Sequence, residues 1–183
     1  MIYINRIFLD LDGVIRNWCG GIFKLFDIEP VPVTTYEGIV DYVCKDYGIS
    51  KTYFWERQDY HFWKYLKCYP YIEPVLRLFP VDKVCILTSP SLNGAGGSQA
   101  WIKKNLPSLF NNKQYLIGPA KHFCAGSHSL LVDDSDDNTD RFRKAGGHTI
   151  LFPQPWNRCS GYTGVRIPYI KERLKKYSFG GKW

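Results

Sequence analysis

Apolar residues in this chain come in short runs separated by stretches of helical period. Five runs read as strands covered on both faces, since they are rich in apolar and β-branched residues with little alternation. They are residues 2–9 (IYINRIFL), 83–87 (KVCIL), 114–117 (QYLI), 129–132 (SLLV) and 148–152 (HTILF). Residues 99–106 have helical spacing before Pro107, and residues 136–145 open on acidic cap candidates and stop at Gly146-Gly147, as helix ends do. Strands alternating with helices predict an α/β fold with a doubly wound parallel sheet. Ligands of such sheets bind beyond the carboxyl ends of the strands.

The stretch between the first two strands is far longer than one crossover helix requires. Residues 18–79 therefore read as an inserted helical cap, with residues 1–17 and 80–183 forming the core. Within the insertion, Thr34 or Thr35 caps a run to Tyr47, Ser50 precedes a helix over 51–58, and Pro74 sits early in a helix over 72–79. Residues 168–177 (PYIKERLKKY) predict a basic amphipathic helix, and residues 178–183 a frayed end.

The chain has 183 residues, 45% hydrophobic and 22% charged, which suits one folded core with a modest insertion and excludes disorder as the default. A net charge of +7 favours anionic partners. No apolar stretch approaches a membrane span, and the opening residues lack the zones of a signal peptide, so a cytosolic protein with no membrane partner is expected. The six cysteines form no metal-ligand spacing and read as thiols. Nine of the nineteen residues 53–71 are Phe, Trp or Tyr. Most of these would build the core of a small cap, and a few would face a flat ligand.

Three strands end in polar residues that can do chemistry. Asp10 and Asp12 lie two apart beyond the first strand, Thr88 and Ser89 end the second, and Asp133 and Asp134 end the fourth. Neighbouring carboxylates repel unless a cation joins them, and a hard ion such as magnesium accepts oxygen ligands. Magnesium with Asp10 as nucleophile and Asp12 as acid and base is one way to cleave a phosphate ester. Thr88, Ser89 and Lys121 would then hold the phosphoryl oxygens.

The order Asp-x-Asp-Gly, Thr-Ser, Lys, Asp-Asp at strand ends resembles the haloacid dehalogenase (HAD) superfamily. One branch is closer still. Asp10-Leu11-Asp12-Gly13-Val14, Trp18, Gly20-Gly21, His61-Phe62-Trp63, Leu66, Pro70, Leu87-Thr88-Ser89-Pro90, Ala100-Trp101, Lys121 and Leu131-Val132-Asp133-Asp134 resemble the 5'(3')-deoxyribonucleotidases. Residues 152–157 (FPQPWN) are similar to the bacterial and phage members. The resemblance implies a HAD-like fold in which Asp10 is the nucleophile and Asp12 the acid/base. It implies magnesium on Asp10, Asp133 and the Asp12 backbone carbonyl, with Asp134 in support, and phosphate on Thr88, Ser89 and Lys121. Trp18 matches the family's base-facing aromatic, and Phe62 or Trp63 is the next choice. Ser135 stands where members commonly carry Arg or Lys, and the Gly-rich residues 91–98 lack the usual bulk.

The expected function is a magnesium-dependent phosphatase acting on deoxyribonucleoside monophosphates through an aspartyl phosphate, its partner being the small nucleotide. The alternatives are a phosphatase for another small phosphate or a polynucleotide end, and a non-catalytic nucleic-acid-binding protein. The aspartate pair argues against a pure binder, since acidic repulsion at an anion site gains nothing. Nucleic acid and a second copy in a homodimer remain open as partners.

Overall fold

Apolar strands with no polar face must be covered on both sides, and in the computed structural model the central ones are. It describes residues 1–31, 35–162 and 164–180, except the side chains of Tyr36 and Leu92. Strand β1 (Ile2–Tyr3) is followed by β2 (Arg6–Leu9) and then helices α1 (Trp18–Leu25), α2 (Tyr36–Tyr47), α3 (Lys51–Glu56), α4 (Tyr60–Tyr65) and α5 (Ile72–Leu76). After these come β3 (Val84–Thr88), α6 (Ala95–Asn105), α7 (Pro107–Asn111), β4 (Tyr115–Ile117), β5 (Ser129–Asp133), α8 (Asp136–Lys144), β6 (His148–Leu151), α9 (Arg166–Leu174) and β7 (Tyr177–Ser178). Five strands form one parallel sheet in the order β4-β3-β2-β5-β6. This is the doubly wound α/β architecture expected from the sequence.

The central strands β3, β2 and β5 are buried on both faces, whereas the edge strand β4 leaves Leu116 exposed. Ile7, Leu9, Ile86, Leu130 and Val132 pack in one cluster with Trp101 and Ile102 of α6 and Ile170 of α9. Phe8, Leu87 and Leu131 point the other way, onto Phe142 of α8. Alternate residues of one strand thus serve two layers, which is why the strands read as continuous apolar runs.

Several expected boundaries move. The first strand is two, because Ile2 and Tyr3 pair with Tyr177 and Ser178 of β7 while Asn5 N turns to His128 O at 2.9 Å. The end expected to fray is therefore tied down: Ser178 lies in β7 and Phe179 is buried, while residues 181–183 lie outside the described ones. The C-terminal helix starts earlier and stops at Leu174, and α5 ends at Leu76. Thr35 Oγ1 caps α2 by accepting from Gly38 N at 2.9 Å, whereas Thr34 lies outside the described residues. All six cysteines are free thiols. Among the described residues, no helix is long and apolar enough to cross a membrane.

The connections into and out of the α1–α5 segment run side by side. Asn17 N donates to Lys67 O and Tyr69 N to Ile15 O, with Arg16 bridging to Cys68. The Gly-rich start of α6 has a packing reason: a Cβ on Gly97 would lie 2.4 Å from Tyr60 O and 2.7 Å from Trp63 Cβ. Glycine lets α4 lie against α6, and Gly96, one residue earlier, meets nothing nearer than 3.6 Å.

Gly97→Ala should destabilise the protein by about 1–3 kcal/mol through overpacking, and Gly96→Ala should leave it neutral or gain up to about 1 kcal/mol from helix propensity. Urea denaturation of both variants checks the contrast.

Candidate active site

The carboxyl ends of β2 and β5 lie together because these strands are sheet neighbours, Leu9 opposite Val132, with Asp10 N donating to Val132 O at 3.0 Å. Asp10, Asp133 and Asp134 are all buried there, and they offer carboxylate oxygens within 4.8 Å of one another. Lys121 reaches them from the turn Lys121–Cys124 after β4. Its buried Nζ lies 2.8 Å from Asp10 Oδ1 and 2.7 Å from Asp133 Oδ2.

The two carboxylates of the acidic pair are occupied differently. Asp133 accepts from Ser135 N at 2.8 Å on Oδ1 and from Asn138 Nδ2 at 3.2 Å on both oxygens, besides holding Lys121. Asp134 accepts from Trp156 Nε1 on Oδ2, and Asn157 Nδ2 donates to its backbone carbonyl at 2.7 Å. Gly13 lies over it with φ +81°, and a Cβ there would come within 2.0 Å of Asp134 Oδ2. Only glycine fits both that backbone conformation and that approach.

Asp12 turns its carboxylate to Arg16, which donates from Nε to Oδ1 at 2.8 Å and from Nη2 to Oδ2 at 2.7 Å. Thr88 is buried at the end of β3 and its Oγ1 donates to Asp12 Oδ2 at 3.4 Å. Ser89 is exposed to the cavity. Ser135 is spent on α8, its Oγ accepting from Asn138 N at 3.3 Å.

Above this floor is a cavity of about 860 Å³. Asp10, Asp12, Ser89, Lys121 and Asp134 line its base, and Glu37, Thr52, Trp55, Glu56 and Trp63 line it from α2, α3 and α4. Trp18, expected to face a base, does not line it and is 1% exposed. Its Nε1 donates to Gln58 Oε1 at 2.9 Å and its ring packs behind Trp55, centroids 6.2 Å apart and 23° from parallel. A tryptophan opening α1 is drawn into the core because α3 covers it, so the exposed aromatic face is that of Trp55. Phe62 faces a separate groove with Gly20, Gly21, Lys24 and Tyr65. Trp63 lines the main cavity, but its Nε1 is held by Gln58 O at 2.9 Å and Ser91 Oγ at 3.2 Å.

Charge at the floor is unbalanced. Burial pushes Asp10 up to about 7, against the pull of Lys121 and with further lift from Asp133 and Asp12. Asp134 is raised well above the usual carboxylate range, by burial first and then by Asp133 and Asp10. Burial depresses Lys121, but Asp10 and Asp133 outweigh it and raise its ammonium overall. Buried Asp10 Oδ1 has only the undirected ion pair with Lys121 and no hydrogen-bond donor of proper geometry among the described residues. Three buried carboxylates facing one ammonium fit a hard divalent cation with oxygen ligands. Asp10 and Asp134 are the natural holders, because both oxygens of Asp133 already accept directed donors. The expectation had given Asp133 the metal and Asp134 the supporting place.

Arg16, Trp55, Asn138 and Trp156 were not among the expected site residues. Arg16 carries a faint signal, four residues beyond Asp12, and Trp55 was one aromatic among many. Nothing local marks Asn138, and Trp156 stood only within the motif at 152–157 with no role assigned; both meet the acidic pair through tertiary packing.

No family model and no curated protein matches the chain. Solved structures do match it. A HAD-like family protein from Streptococcus pneumoniae aligns with TM-score 0.62 and 13% identity over 96% of this chain and 100% of that one. A HAD family hydrolase from Deinococcus radiodurans R1, solved with bound phosphate and sodium, gives 0.59 and 13% over 96% and 97%. The HAD hydrolase YfnB from Bacillus subtilis, solved bound to magnesium, gives 0.59 and 12% over 94% and 99%. The fold is thus the Rossmannoid fold of the HAD-like hydrolases.

Asp134→Asn should weaken magnesium binding, read by calorimetry, by about tenfold or more. Asp137→Asn, which alters an exposed carboxylate paired with Arg141 at 2.9 Å, should leave it unchanged.

Proposed function

We propose that the chain is a magnesium-dependent phosphatase that removes phosphate from deoxyribonucleoside monophosphates, a cytosolic enzyme in which residues 18–79 form a helical cap over a core of 1–17 and 80–183. The observation that carries the reaction class is Asp10, a buried carboxylate at the base of a large cavity, flanked by Lys121, Asp134 and Asp12. Bound magnesium would neutralise phosphoryl charge between Asp10 and Asp134. Asp10 attacks phosphorus, forming an acyl phosphate as the bond to the leaving oxygen breaks, and Asp12, entering the cycle with a proton, gives it to that oxygen. Asp12 then takes a proton from water, whose oxygen bonds to phosphorus as the Asp10–phosphorus bond breaks, releasing inorganic phosphate and restoring the carboxylate. Lys121, Ser89 and Thr88 hold the phosphoryl oxygens.

The nucleotide part of the reading is supported by room and surface. The cavity is far larger than a phosphate needs, and Trp55 offers it a partly exposed ring. Glu37 and Glu56 beside it favour a second reading, a small phosphate bearing an amine, since carboxylates accept from N–H groups. Deoxyribonucleoside monophosphates and phosphoethanolamine, assayed side by side for released phosphate, separate the two readings.

Asp10→Asn should abolish turnover while the protein stays folded, because the amide keeps the shape and cannot attack phosphorus. Turnover near the wild-type rate would remove Asp10 from the mechanism.

Trp55→Ala should raise KM for nucleotides about tenfold, as loss of base stacking does, and change hydrolysis of p-nitrophenyl phosphate far less. Trp18→Ala should instead lower stability by about 3–5 kcal/mol, the loss typical of a buried Trp, as read by thermal and urea unfolding.

A further inference from the structure

The Arg16 side chain is fully buried and lies behind Asp12 rather than in the cavity. Beyond its two bonds to the carboxylate, Nη1 and Nη2 each lie 3.2 Å from Ser98 Oγ, and Nη1 lies 3.4 Å from Trp63 O. The guanidinium also sits 4.9 Å from the Trp63 ring centroid and 5.4 Å from that of Trp101. One cation thus joins the loop after β2, helix α4 and helix α6. The same loop closes on itself through Gly13 N donating to Arg16 O at 3.0 Å.

A buried ion pair often gains nothing in stability over apolar residues of equal volume. Here it does what apolar packing would not: it fixes both oxygens of a carboxylate in one plane and one rotamer. Each oxygen has two lone pairs; the fork takes one from each and Thr88 Oγ1 takes the second of Oδ2, which leaves one on Oδ1 for the cavity. We infer that Arg16 is a positioning residue, which holds the Asp12 carboxylate at the angle and depth where it can exchange a proton with the leaving oxygen and with the hydrolytic water. This rests on the phosphatase reading above, and it adds a residue that acts on the reaction only through Asp12.

The experiment compares full-length wild type, Arg16→Met, Arg16→Lys, Asp12→Asn and the Asp12→Asn/Arg16→Met double variant on p-nitrophenyl phosphate with magnesium. Arg16→Met should lower kcat by about a hundredfold or more, the scale of lost general acid–base catalysis, with KM changed less than about threefold. Acid quenching during turnover should trap more covalent phosphate on Arg16→Met than on wild type, because the water step also needs Asp12. Arg16→Lys restores the charge without the fork and should recover part of kcat. The double variant should be no slower than Asp12→Asn alone. Wild-type kcat in Arg16→Met, or losses that multiply in the double variant, would overturn the inference. If Arg16→Met does not fold, Arg16→Lys alone and combined with Asp12→Asn gives the same comparison, with multiplying losses again decisive against it. A wild-type protein with no magnesium-dependent turnover would overturn the phosphatase reading itself.

Discussion

Burying carboxylates is unfavourable, and the site is arranged around that cost. The parallel pairing of β2 with β5 brings Asp10, Asp133 and Asp134 to one point below the surface. Among the described residues, Lys121 is the single buried cation in contact with Asp10 and Asp133, 2.8 Å and 2.7 Å away. In low dielectric such an ammonium offsets much of the repulsion, though not all of three charges. The remainder raises the affinity of the floor for protons or for a metal. The same imbalance that makes the apo site reluctant to ionise makes it ready for a cation.

The acidic groups near the cavity divide by what restrains them. Asp133 is fully donated to and behaves as a strut between β5, α8 and Lys121. Asp134 is gripped on one oxygen by Trp156, and Asp12 is gripped on both by Arg16. Glu37 and Glu56 are exposed. Rigidity decreases from the floor to the rim, as suits a site in which the reacting atoms must be held while the distal part of the ligand is accommodated.

The strand ends were legible in the sequence because covered strands are short apolar runs, and the polar residues beyond them lie at the sheet edge where ligands of such folds bind. Asp10, Thr88, Lys121 and Asp133 could be placed on that basis. Two kinds of feature could not. The first is which of several like residues faces the cavity: Trp18, Trp55, Phe62 and Trp63 are equivalent by type, and the packing of α3 on α1 buries the first and presents the second. The second is pairing between remote segments, as with Trp156 on Asp134 or the two-residue strands β1 and β7, whose local patterns are too short to carry a period. The division of labour within Asp133-Asp134 belongs there too, since only Asn138 and the turn at Ser135 decide it.

The pairing of β1 with β7 also sets an order of events in synthesis. Strand β2 can dock against β3 and β5 as soon as those have left the ribosome, but Ile2 and Tyr3 gain their strand partner only when Tyr177 and Ser178 emerge. Residues made before β2 are therefore paired after it. The waiting edge is short and is followed, after Ile4, by Asn5 and Arg6, a poor template for pairing with a neighbouring nascent chain.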